Sequence, residues 1–318
     1  MAISFKILLG FVFVIFGYGA LMGLWWNIQK IILNKGVNSS VIRAVSGLVA
    51  GIMLISLSFV FYGIPTGFFS IKILGSFFIA VVLNIIIAYC WFGALEKTDP
   101  AVGPQVQVFG PIITLFVGKL LLNEMPNISG VIGIFVTLFG VYAFYKESNN
   151  SSVTGPIKRI IREWKDWLVF AIIAGVSAGI SVPFDKLNIL HTNSMLAPGI
   201  TLLVGWGLFY TVYGWLRPTR PEVVLTEKKS LVWKQETIWL LAIAGLCFGI
   251  ANGFQGVAYT LIPTAVVVGT LKRIDALWSI FFVLIVFKQN TRPFRISGAI
   301  IIFIGIVIMG ISNLYKDN

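Results

Sequence analysis

The sequence predicts an all-α polytopic membrane protein, with ten transmembrane helices in two inverted five-helix repeats. Three observations carry this. The 318 residues are 58% hydrophobic and only 11% charged, with mean hydropathy +0.93, where a soluble domain carries about 25% charged residues. Ten apolar runs approach or reach the length that crosses a hydrocarbon core about 30 Å thick. The Gly and Lys pattern of the first half returns in the second. The same composition excludes a disordered chain, and two cysteines exclude a disulfide-stapled secreted domain. A net charge of +12 does not indicate a nucleic-acid partner, because the cations sit between apolar runs and not on a polar face.

The spans fall at roughly 7–29, 40–62, 72–95, 101–122, 129–145, 167–189, 194–216, 238–261, 264–287 and 296–314. The first is too long for a cleavable leader. Trp25, Trp26, Asn27, Gln29 and Lys30 follow it where a small-x-small cleavage site would stand. The fifth is short. Two connections are long, Lys146–Asp166 and Arg217–Glu236, and neither suffices for a soluble domain. Cys90 and Cys247 lie inside spans and are expected to be small packing residues.

The repeat is read from spacing. Gly19, Gly23 and Lys30 match Gly175, Gly179 and Lys186. Ala94 and Ala101 match Ala258 and Ala265, and Gly133 and Gly140 match Gly298 and Gly305. The chain therefore divides into 1–145, a polar connecting loop 146–166, and 167–318. Five spans per half make the second half enter the membrane from the opposite side, the inverted-topology plan of secondary transporters. With alternate loops sharing a side, the Lys and Arg counts are 16 against 5. The positive-inside rule then puts both termini outside.

Polar residues at membrane depth give the functional expectation. An ionisable group at the centre of a span costs about 2.5–3.5 kcal/mol, so it faces a cavity or a partner. The ninth span carries Lys272, Arg273 and Asp275 near its midpoint. On a helix Lys272 and Asp275 share one face, and Arg273 points elsewhere. One reading makes them a buried structural cluster. The favoured reading turns the cations to a cavity, where Arg binds an anion as a fork and Lys as a point charge. Asp275 then balances one cation or carries a proton. Neutral polar candidates are Gln107, Asn252, Gln255 and Asn84, with Tyr89 and Trp91 as cavity walls. Interhelical hydrogen bonds are an equal alternative for Gln107, Asn252 and Gln255, and close helix packing is the better account of the glycine stripes. Pro104, Pro111 and Pro183 are candidate kinks. Arg43 is expected to snorkel to the interface, or otherwise to act in gating or substrate binding. Glu124 closes the fourth span, and Lys30 and Lys186 are expected as interface anchors, with Asp185 paired to a neighbour. His191 is the only histidine, and no phosphate loop, catalytic triad or metal-ligand cluster is visible. No enzyme activity, metal or other cofactor is therefore expected.

Three passages carry a family resemblance. They are Ala94-Leu95-x3-Asp99-Pro100-Ala101 continuing through Pro111 to Glu124, Gly130, Gly133 and Gly140; Ser181-x3-Asp185-Lys186; and Phe254-Gln255-x2-Ala258-Tyr259 continuing to Lys272-Arg273, Ser297-Gly298-Ala299 and Gly305. In that order they resemble the EamA-type transporters of the drug/metabolite transporter superfamily. The resemblance implies ten helices around a central cavity and alternating-access transport of a small organic solute. The Lys272-Arg273 pair also resembles the phosphate-binding pair of plastid phosphate translocators. Those carry a further Lys in the fourth span, whereas the repeat partner of Lys272 is Val108.

The expected function is thus a secondary transporter of a small polar or anionic metabolite in the cytoplasmic membrane of a prokaryote. Its partners are the small-molecule substrate, the lipid bilayer, and a coupling proton or counter-substrate. The rivals are an exporter of cationic drugs or amino acids using Asp275, and a non-transport scaffold or lipid-handling enzyme. A bundle with no mid-depth pocket would favour the scaffold. Substrate identity, direction and oligomeric state are not legible in the sequence.

Overall fold

The computed structural model describes residues 5–63, 71–97, 110–146, 157–216, 235–286 and 293–314. Among them the ordered elements are all helical. They are α1 (Phe5–Asn34), α2 (Ser39–Tyr62), α3 (Ile71–Lys97), α4 (Gly110–Leu122), α5 (Ile128–Lys146), α6 (Ile157–His191), α7 (Leu196–Leu216), α8 (Gln235–Leu261), α9 (Ala265–Ile285) and α10 (Pro293–Leu314). Six of them, α1, α2, α3, α6, α7 and α8, contain a stretch long and apolar enough to cross a membrane. The outer surface is correspondingly apolar: Val60, Leu120, Ile128 and Trp215 are all more than three-quarters exposed. Hydrocarbon accepts such a surface, and water does not.

Local chemistry sets the helix ends. Asn38 accepts a hydrogen bond from the Ser40 amide to open α2, Asn127 does the same for Gly130 in α5, and Asn193 accepts from Met195 and Leu196 to open α7. Gly36 and Gly63 follow α1 and α2 with φ of 84° and 69°, values that glycine adopts without a Cβ clash. Pro111 sits at the second position of α4, where its missing N–H costs nothing, so it starts a helix instead of kinking one. Pro183 lies inside the unbroken α6. Pro104 is outside the described residues.

Three helices depart from regular winding. α1 widens into a π-turn at Phe13–Tyr18 and α7 into another at Leu203–Leu208, while α9 tightens into a 3₁₀ turn at Lys272–Ile274. The sequence reading of α9 as one regular helix is corrected there. Its charged residues occupy a tighter turn, between segments Ala265–Leu271 and Asp275–Ile285.

Packing brings together helices far apart in the chain. α5 lies along α10 and α2 along α7. α1 packs on α8 and α9, while α6 packs on α3 and α4. Glycines set these contacts. A Cβ at Gly23 would strike Trp278 and Ser279 of α9, and one at Gly179 would strike Ile113 and Gly110 of α4. At the α5–α10 crossing Gly133 and Gly305 face each other, each meeting the other's carbonyl. Close approach of small residues is what holds helices together where lipid removes the hydrophobic drive. An aromatic core of Trp25, Trp26, Trp91, Trp206, Phe92 and Phe248 fills the space between α1, α3, α7 and α8, with Trp25 stacked on Phe248 at 4.8 Å.

Candidate functional site

Several buried polar groups lie where α1, α6 and α9 approach one another. The tight turn of α9 aims Lys272 toward α1, where the π-turn of that helix ends at Tyr18. The Lys272 Nζ stands 5.2 Å from the Tyr18 ring centroid. Arg273 and Asp275 are both buried, 6% and 3% exposed, and their charges act on one another. Asp275 accepts a hydrogen bond from the Trp26 indole at 3.4 Å. One turn further on, Ser279 is held by Asn27, whose amide donates to its carbonyl and its hydroxyl at 3.2 Å each. Three of these groups were named from sequence. The fourth charge, Asp185 of α6, was expected only to pair with a neighbour; it lies in the same electrostatic field, with Lys272 as its charge neighbour. The Asp185-Lys186 motif held the signal, but the spacing along α6 does not say which of the two turns inward.

Asp185 also lines a cavity of about 30 Å³, room for one or two waters. Its other polar walls are Asn84, Asn188, Thr201, Asn252 and Gln255, drawn from α3, α6, α7 and α8. A relay fixes one side of the carboxylate. The Asn84 amide donates to the Ser181 hydroxyl at 3.0 Å, and that hydroxyl donates to Asp185 Oδ2 at 3.1 Å. The Asn252 amide donates to the Phe248 carbonyl at 2.8 Å. Asn188 is 1% exposed, yet neither end of its amide has a hydrogen-bond partner, and the Gln255 carbonyl oxygen is equally unmet. Buried amides are normally satisfied, and both residues line this cavity.

The remaining expectations sort as follows. Asn84, Asn252 and Gln255 line the cavity. Gln107 lies outside the described residues. Tyr89 and Trp91 do not wall this cavity. Tyr89 is 46% exposed and faces Phe170, and Trp91 is locked in the aromatic core. They sit one or two turns along α3 from Asn84, and a helical turn points side chains to different neighbours. Arg43 does not snorkel. It is 4% exposed, with its guanidinium 4.3 Å from the Tyr210 ring and 5.1 Å from that of Phe92. It also donates to the Ser39 carbonyl and hydroxyl one turn back. The rings and the polar start of α2 make burial tolerable for a weakly hydrated, planar cation.

Lys186 is likewise no surface anchor. It is 3% exposed, bonds Glu124 at 2.5 Å, and also donates to the Pro263 carbonyl. Glu124 in turn accepts from the Ala265 amide at 2.8 Å and so caps the start of α9. Asn123, with φ of 53°, supplies the left-handed step after α4 that turns Glu124 inward. Lys30 donates to the Leu95 carbonyl at 2.9 Å, near the end of α3. The two matched lysines thus hold the chain at or just beyond the end of the third helix in their own halves.

Among the described residues no group of three His, Cys, Asp or Glu is placed to hold a metal ion. No curated protein matches the sequence. A solved crystal structure superposes with TM-score 0.66 over 96% of each chain at 14% identity, a likeness of fold alone. The EamA-like transporter family matches residues 8–146. That match covers somewhat under half of the chain, and over those residues the chain is similar to EamA-like transporters, while its apolar helices make it a membrane protein.

Proposed function

We propose that the chain is a secondary transporter carrying a small polar organic metabolite across the membrane by alternating access. Residues 1–145 and 167–318 form inverted five-helix repeats joined by the polar segment 146–166, whose part from Ile157 is already the start of α6 and not loop. The matched residues support this. Gly23 and Gly179 each admit the fourth helix of the opposite half, and Lys30 and Lys186 each bind a carbonyl near the end of their own third helix.

One observation carries the transport reading. Asp185 lines an amide-walled cavity, and its charge neighbour Lys272 lies with Arg273 and Asp275 in and beside the tight turn of α9. Packing against lipid has no use for such groups, and burying them costs several kcal/mol unless they pair with one another or meet something polar. A sealed dry seam would suit a scaffold, and the cavity argues against it. The cavity is too small for a metabolite as it stands, so entry requires the halves to rock apart, as alternating access demands. The membrane of this reading is the cytoplasmic membrane of a prokaryote, and within it the lysine and arginine distribution favours both termini outside.

The test is flux in proteoliposomes loaded with amino acids, carboxylates, phosphorylated sugars or nucleotides. Wild-type protein is expected to exchange at least one of these classes, and Arg273→Ala to abolish the exchange while eluting as folded protein. Unchanged exchange in Arg273→Ala removes that residue from the site. Dependence on an imposed pH gradient separates proton coupling from counter-substrate exchange.

A further inference from the structure

We propose that the α6–α7 connection, residues 192–195, is the gate of the cavity. It is latched to the last turns of α2 and swings with the start of α7 about the π-turn Leu203–Leu208. This rests on the transporter reading above and adds which end of the bundle opens.

The connection borders the cavity directly. It joins the end of α6, whose Asn188 and Ile189 line the cavity, to the first turn of α7, whose Ala197 and Pro198 do the same. Gly256 of α8 is a further wall residue, and a Cβ there would meet the Ser194 carbonyl oxygen. The opposite end is closed differently. One or two turns along α3, α7 and α8 from the lining residues Asn84, Leu202 and Asn252 stand Trp91, Trp206 and Phe248 of the aromatic core. The cavity thus has a floor of packed rings and a roof made by one short connection.

The roof is fastened by polar contacts. The Ser58 hydroxyl donates to Asn193 Oδ1 at 3.1 Å and accepts from its Nδ2 at 2.9 Å. The Tyr62 and Ser194 hydroxyls stand 3.0 Å apart. Tyr62 is 53% exposed at the end of α2, so water reaches this latch and replaces the bonds it loses, which makes their net worth small. The floor has no such substitute, because parting it exposes large ring surfaces. The roof therefore yields before the floor.

α7 is shaped to bend just beyond the roof. Its π-turn begins directly after the wall residue Leu202, and helices bend where the hydrogen-bond ladder is opened in this way. The same turn crosses α2 closely. A Cβ at Gly47 would strike Trp206 and Gly207, and one at Gly51 would strike Leu203. This crossing is the pivot. The arm Leu196–Leu202 carries the wall residues Ala197, Pro198, Thr201 and Leu202 and ends at the latch.

The test uses purified full-length protein and a small charged thiol reagent, with Thr201→Cys as the reporter and labelling counted by intact mass against wild type. Tyr62→Phe removes one latch bond and is expected to speed labelling about two- to tenfold. Lys35→Ala breaks the ion pair with Glu236 at the other end of α8 and is expected to leave the rate unchanged. No labelling of Thr201→Cys, no acceleration by Tyr62→Phe, or acceleration by Lys35→Ala instead overturns the gate. Where Thr201→Cys does not fold, Asn252→Cys on the facing wall is the reporter, with the same expectations. In proteoliposomes, a short bis-thiosulfonate cross-link through Ser58→Cys and Asn193→Cys is expected to stop solute exchange, and reduction to restore it. Exchange that continues through the cross-linked protein sinks the gate and leaves the transporter reading standing. Faster labelling in Tyr62→Phe with no solute exchanged by wild type keeps the gate and ends the transporter reading.

Discussion

Lys186 and Glu124 meet at 2.5 Å, the lysine from α6 and the glutamate from the turn after α4. The same carboxylate caps α9, and the same ammonium holds the Pro263 carbonyl that precedes it. Four segments are therefore closed at one point by one ion pair. Removing one partner leaves the other charge buried. Glu124→Gln and Lys186→Met are each expected to cost about 3–5 kcal/mol, and the double variant less than the sum. Thermal unfolding in detergent reads this as a double-mutant cycle. Additive losses would mean that the two side chains do not act as a pair.

Gly256 faces the chain just before α7. A Cβ there would lie 1.8 Å from the Ser194 carbonyl oxygen, which is backbone and cannot rotate away. Gly256→Ala is expected to lower stability by about 3 kcal/mol or more. Gly75, in α3, has nothing within 4 Å of its Cβ position. Gly75→Ala is expected to be stabilising by about 0.5–1 kcal/mol through helix propensity. Equal melting temperatures for the two variants would contradict the close α7–α8 approach.

Arg43 depends on shape as well as charge. Its guanidinium stacks among Tyr210, Phe92 and Tyr89, and its hydrogen bonds reach back to Ser39. Lysine keeps the charge and loses the plane and the fork. Arg43→Lys is therefore expected to destabilise by about 1–2 kcal/mol, read as a lower melting temperature. A surface-anchoring arginine would show no change.

Cys90 and Cys247 are 2% and 8% exposed. A charged, membrane-impermeant thiol reagent is expected to label neither in the folded protein and both after denaturation, counted by intact mass. Native labelling of either would mean that the helix carrying it opens to water.

Much of the plan was legible in the chain because it follows from composition and period. Apolar runs of about 20 residues define spans whatever their neighbours, and Lys272, Arg273 and Asp275 are conspicuous inside one. Asn84, Asn252 and Gln255 were found because polar groups are rare in such helices. Asp185 and Asn188 were missed as site residues because α6 is polar at several adjacent positions, and only its packing against α3, α7 and α8 selects the ones that face the cavity. Tyr89 and Trp91 misled for the same reason: one turn decides whether an aromatic side chain meets lipid, a core or a cavity.

Oil-compatible composition by itself determined a membrane protein of many helices, because a chain with so few charges has no other solvent. It also set the positions of the costly charges along α9. The tertiary structure alone decided the charge balance of the site. Asp185 joins Lys272 only when α6 and α9 come together, and electrostatics in a low-dielectric interior depends on distance through space, which no count along the chain supplies.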